Sequence, residues 1–107
     1  MAWNNKGLAL QGLGRSEESL TCYDKSLALN PEDAVAWNNK GLALKGLGRF
    51  EESLTCCEKA LELDPGQKWA LFNRVEALFA LHRWEAGFNA LRQAFVQHPS
   101  ESTHDVE

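Results

Sequence analysis

The chain has 107 residues, 44% of them hydrophobic, with 11 basic and 15 acidic residues for a formal charge of -4. That length suits one domain, and the hydrophobic share allows a buried core. The acidic balance leaves no electrostatic footprint for nucleic acid and little attraction to an anionic membrane, and no apolar run approaches the roughly 20 residues of a membrane span.

Met1 to Leu10 lacks the charged, apolar and small-residue order of a secretory signal. The cysteines are Cys22, Cys56 and Cys57. An odd number without paired spacing argues against a disulfide framework, so a reducing, cytoplasmic compartment is expected.

In chain order, the first segment is AWNNKGLALQGL at Ala2–Leu13, followed by GRSEESLTC at Gly14–Cys22. Both return after 34 residues, as AWNNKGLALKGL at Ala36–Leu47 and GRFEESLTC at Gly48–Cys56. A third, more divergent copy keeps Asn73, Ala77 and Leu78 in register, with Trp84-Glu85 at the place of Phe50-Glu51. Pro31, Pro65 and Pro99 close the three copies at the same position. A fixed period of this length marks a repeat architecture in which neighbouring copies bury one another's apolar faces.

Each copy reads as two helices. In the second, Trp37, Gly41, Leu44 and Leu47 form one stripe at helical spacing. Gly48 supplies the left-handed residue of a tight turn. Glu51 and Glu52 suit the positive end of the next helix dipole, and Leu54, Cys57, Leu61 and Leu63 give that helix its apolar face. Asp64-Pro65 stops it, because proline disfavours helix at the preceding residue. Asp33 is the expected N-cap of the helix that starts near Ala34. Six helices are predicted near 2–13, 16–29, 34–47, 50–63, 68–81 and 84–97, each boundary good to about 2–4 residues. The units span about 2–33, 34–67 and 68–99 of a single domain, 1–99, and the polar residues 100–107 are expected to form a disordered tail.

This pattern resembles the tetratricopeptide repeat, through Trp37, Gly41, Leu44, Gly48, Phe50, Ala60 and Pro65 in unit two and Trp3, Gly7, Leu10, Gly14 and Pro31 in unit one. Lys6, Lys40 and Arg74 depart from the family's leucine, and Ser19, Ser53 and Gly87 from its alanine. Unit three also has Val75 for the close-packing glycine and His82 for the turn glycine. The resemblance implies an all-α, right-handed solenoid of three antiparallel helix pairs. Its concave face, lined by the first helix of each unit, usually binds a protein or peptide in that family.

The implied groove residues are Asn4, Asn5 and Leu8 with Gln11 in unit one, Asn38, Asn39, Leu42 and Lys45 in unit two, and Trp69, Phe72, Asn73, Glu76 and Phe79 in unit three. Asn5, Asn39 and Asn73 form a ladder whose amides can donate and accept together, which suits a peptide backbone. The alternative is that these amides bond neighbouring helices and hold the stack. On the binding reading, Asn39→Ala weakens binding and leaves stability nearly unchanged. The family's chaperone-binding members hold a C-terminal carboxylate with lysines, asparagines and an arginine. The matching positions here are Asn4, Leu8, Asn39, Trp69 and Asn73, of which only Asn39 fits, so that ligand is not expected.

No nucleophile, carboxylate pair, metal-ligand spacing or phosphate loop accompanies His82, His98 and His104, so neither catalysis, a metal nor a cofactor is expected. Cys56 and Cys57 read as small hydrophobic packing residues. Phe88, Leu91 and Phe95 occupy the places of Leu54, Cys57 and Leu61 with no later helix to cover them, which predicts self-association as a homodimer through the last helix. The alternatives to a peptide-binding module are an end-to-end structural scaffold and a piece of a longer array.

Overall fold

The computed structural model describes residues 2–98. It contains α1 (Ala2–Gly12), α2 (Ser16–Leu29), α3 (Ala34–Gly46), α4 (Phe50–Leu63), α5 (Lys68–Ala80) and α6 (Trp84–Gln97), and no strand among the described residues. The expectation for 100–107 lies outside them.

Every helix falls within one residue of its expected bounds, and the three that end early share one cause. Arg15, Arg49 and Arg83 donate their N–H to Leu10, Leu44 and Leu78 carbonyls at 2.9 Å, and Gly14, Gly48 and His82 donate to Gln11, Lys45 and Phe79 at 3.0 Å. This paired closure of the last turn needs a left-handed residue at its corner. Gly14, Gly48 and His82 take that conformation, with φ of 77°, 76° and 60°. The Asp33 carboxylate caps α3 by accepting from the Val35 and Ala36 N–H groups at 3.0 and 3.2 Å, and the Gln67 amide caps α5 by accepting from Ala70 at 2.8 Å.

Helices that follow one another in the chain pack together, the backbone of α1 also approaches α3 and that of α3 approaches α5, whereas the backbones of α2, α4 and α6 stay apart and only side chains bridge them. The first helices of the units therefore form a close inner row and the second helices a splayed outer row, so the array curves around α1, α3 and α5. Its longest dimension is 41 Å. The core crosses unit boundaries, as stacking requires. Leu20 and Tyr23 of unit one bury against Ala43, Leu44 and Cys56 of unit two, and Leu54 of unit two buries against Val75, Ala77, Leu78 and Ala90 of unit three. No helix among the described residues is long and apolar enough to cross a membrane.

Candidate peptide-binding groove

On the inner row the asparagines work in pairs offset by one unit plus one residue. The Asn39 amide donates to the Asn4 carbonyl oxygen at 3.0 Å, and Asn73 donates to Asn38 at 3.0 Å. The first Asn of each Asn-Asn doublet is thus the acceptor for the next unit. Lys45 extends the line by donating to Asn73 at 3.5 Å and pairing with Glu76.

Asn38 and Asn39 are 4% and 7% exposed. Removing a buried bonded amide costs about 1–3 kcal/mol, so Asn39→Ala is expected to lower stability, which corrects the view that it would leave stability untouched. Each amide has more hydrogen-bonding capacity than one bond uses. Stack-holding and ligand-facing roles are therefore compatible.

Asn38, Asn39, Leu42, Trp69 and Asn73 surround one groove of about 400 Å³. Trp69, in the first turn of α5, is 63% exposed, and Lys68 lies 4.8 Å from the centre of its ring. Leu42 gives the groove an apolar side, while the amides of Asn38, Asn39 and Asn73 make its other edge polar.

The remaining expected groove residues lie elsewhere. Asn4 is buried as the acceptor for Asn39, Asn5 is exposed at the α1 end, and Leu8 is 43% exposed on α1. Phe72 packs on Phe95 of α6, with ring centres 6.1 Å apart. Phe79 meets the edge of Phe88 at 5.3 Å and Trp84 at 6.0 Å. Neither ring lines the groove. Gly87 makes this possible, since a Cβ there would stand 2.5 Å from the Phe79 ring. Of the expected self-association residues, Phe88 is 57% exposed, while Leu91 packs against the core of units two and three and Phe95 is partly covered by Phe72.

The sequence reading missed Asn4 and Asn38 as acceptors, and the doublet itself was the available signal. The cysteines sit where expected: all three are buried and none is in a disulfide. Burial pushes the Cys57 thiol up to about 12 and Cys56 to about 11, so both stay protonated near neutral pH and are poor nucleophiles.

The sequence model of the tetratricopeptide repeat matches residues 1–33 and 34–67. The chain belongs to the tetratricopeptide repeat family. Its third helix pair, α5 and α6, continues the same stack.

Solved tetratricopeptide domains share the fold. The first such domain of Spaghetti (RPAP3), solved with an HSP90 peptide, superposes with a TM-score of 0.90 at 24% identity, over 92% of this chain and 78% of that one. The Arabidopsis OM64 domain gives 0.89 at 24% identity, over 92% and 81%. The yeast Sti1 TPR2B domain, solved in complex with an Hsp70 peptide, gives 0.89 at 24%, over 94% and 80%. Comparison with curated proteins yields no match.

Proposed function

We propose that this tetratricopeptide array is a non-enzymatic interaction module that holds a partner peptide in extended form against α3 and α5. The observation that carries this is the uncovered Trp69 facing Leu42 across a groove rimmed by Asn38, Asn39 and Asn73. An exposed aromatic beside an apolar wall supplies an anchor for one side chain, and the amides suit the backbone on either side of it. The relatives solved with HSP90 and Hsp70 peptides support peptide binding in general. They do not support the same ligand, because Leu8 and Trp69 stand where cationic and polar clamp residues are needed, and a carboxylate there would go unpaired. The absence of disulfides among buried, protonated thiols supports a reducing compartment such as the cytoplasm.

Selection from a random peptide-display library tests this reading. Enriched peptides should bind the chain, and Trp69→Ala should weaken them by about tenfold, or 1.4 kcal/mol, at unchanged melting temperature. Peptides ending in the acidic motif of the HSP90 peptide should not be enriched. Failure to enrich any peptide, or equal binding by Trp69→Ala, refutes the groove.

A second reading is homodimerisation through α6, favoured by Trp84 and Phe88, which are 54% and 57% exposed. Leaving such side chains in water forgoes about 1.5–3 kcal/mol for each one that burial could cover. Phe88→Glu, discussed below, tests it.

A further inference from the structure

The repeat places a second apolar seat beside the groove, one step along the inner row. Leu8 and Val35 stand 34 residues before Leu42 and Trp69. Both are exposed, at 43% and 50%. The amide bond across each seat is also the same: Asn39 donates to Asn4 at the first and Asn73 to Asn38 at the second, each at 3.0 Å. Asn39 belongs to both, bonding across the first seat and lining the second. The two seats therefore form one trough across α1, α3 and α5, aliphatic at Leu8 and Val35 and aromatic at Trp69. The trough stops at two seats, because Glu76, paired with Lys45, takes the next place after Leu8 and Leu42. Both seats lie between described helices, not on an outer end of the array.

The distance between the seats discriminates among backbones. One step along the row is the spacing of two packed helices, about 8–10 Å. A β-strand rises about 3.3 Å per residue and turns every second side chain to one face, so its same-face side chains stand about 6.6 or 13 Å apart and miss that step. A polyproline II helix has three residues per turn and a rise of about 3.1 Å, so residues three apart share a face at about 9 Å and match it.

The amides exclude an α-helix, which bonds its own backbone groups internally. The Asn38 oxygen accepts from Asn73, and its amide N–H groups have no partner among the described residues. That nitrogen is not among the atoms buried without a partner, so it stays open to the trough. A polyproline II backbone makes no internal hydrogen bonds and keeps its carbonyls available. No charged side chain lines the aromatic seat, which suits an uncharged, proline-rich stretch.

Building on the reading of this face as a peptide groove, we propose that its occupant is a polyproline II segment of a partner protein, with one proline or apolar side chain on Trp69 and Leu42 and another three residues away on Leu8 and Val35. Such a segment is already ordered before it binds, which lowers the entropic cost of association. This sequence does not supply one, since Pro31, Pro65 and Pro99 stand 34 residues apart.

The probe is a synthetic peptide of repeated Pro-Pro-Leu, whose leucines recur every three residues, titrated into the intact chain by calorimetry. The control has the same composition, reordered so that no two leucines stand three apart. The first peptide should bind saturably, and the control about tenfold more weakly. Leu8→Ser combined with Val35→Asp should also weaken the first peptide about tenfold, at an unchanged melting temperature because both side chains are exposed. No binding of the first peptide, equal binding of the control, or indifference to the Leu8 and Val35 substitutions each overturns the proposal. Peptides selected from the random library separate the two readings. If they depend on Trp69 but not on Leu8 and Val35, the groove stands and the two-seat polyproline segment falls.

Discussion

Units two and three have the same hairpin geometry but pack it with opposite allocations of bulk. In unit two the first helix gives up its side chain. A Cβ on Gly41 would stand 3.2 Å from the Ser53 carbonyl and 3.3 Å from both Cys56 and Cys57, and the Ser53 hydroxyl donates to the Gly41 carbonyl at 2.7 Å. In unit three Val75 fills that place, while Gly87 stands where Ser53 was and opens the second helix to the Phe79 ring.

Unit three differs in two further places. Buried Leu71 replaces Trp37, and Arg74 replaces Lys40. Instead of an ion pair, Arg74 donates to Gln93 at 2.8 Å and leaves its Nε buried without a partner. The comparison shows that one hairpin geometry accepts different sites of close approach, α3 against α4 at Gly41 and the Phe79 ring against α6 at Gly87. Cores tolerate such substitutions when the total volume is kept.

The largest expected effect comes from breaking the allocation on one side only. Gly41→Val should destabilise the chain by about 3 kcal/mol, since overpacking forces backbone shifts. Adding Cys57→Ala should recover part of that loss, because its Sγ stands 3.3 Å from the added Cβ, and chemical denaturation of the two single variants and the pair measures the coupling. If the pair is no better than the sum of the singles, crowding against Cys57 does not set the cost.

A smaller effect comes from the turns. Gly48→His should cost about 1–2 kcal/mol, the penalty of a left-handed side-chain-bearing residue. His82→Gly should be stabilising by less than that, because it also removes the stack of His82 on Trp84, whose ring centres are 5.1 Å apart. Thermal melts of both variants decide it. A loss of stability in His82→Gly would mean that the ring stack outweighs the backbone strain.

The smallest effect on the folded monomer is expected where unit three differs in having no later helix against it among the described residues. Leu54 is 5% exposed under α5, whereas Phe88 at the same place is 57% exposed. Phe88→Glu should barely change the melt at low concentration. Light scattering across a concentration series should show the parent chain associating and this variant staying monomeric. A parent chain that remains monomeric at high concentration rules out the α6 homodimer.

Much of this was legible beforehand because the repeat is written twice almost unchanged. The 34-residue offset, the prolines and Asp33 determine the elements and their order, and Gly14 and Gly48 mark their corners. Helical spacing was less informative for the groove. It assigns Phe72 and Phe79 to the inner row by analogy with Asn38 and Lys45, but a large ring turns toward the nearest space, which here is beside α6. Gly87 was visible as a departure from the pattern, yet its meaning depends on Phe79, eight residues away on another helix. For the asparagines the sequence leaves two roles open, facing a ligand and bonding the neighbouring helix, because spacing along one helix does not show which neighbour an amide meets. The bonds Asn39 to Asn4 and Asn73 to Asn38 exist only between units.

The contact pattern also governs how the chain reaches this state. No helix touches one more than two elements away in the chain, so α1 and α5 never meet. Each native contact therefore closes only a short loop, and topologies dominated by such local closures fold quickly. It also means that among the described helices no contact ties unit one to unit three. Order can grow from whichever hairpin forms first, and unit three can fray without taking unit one with it, as in a one-dimensional chain of coupled segments.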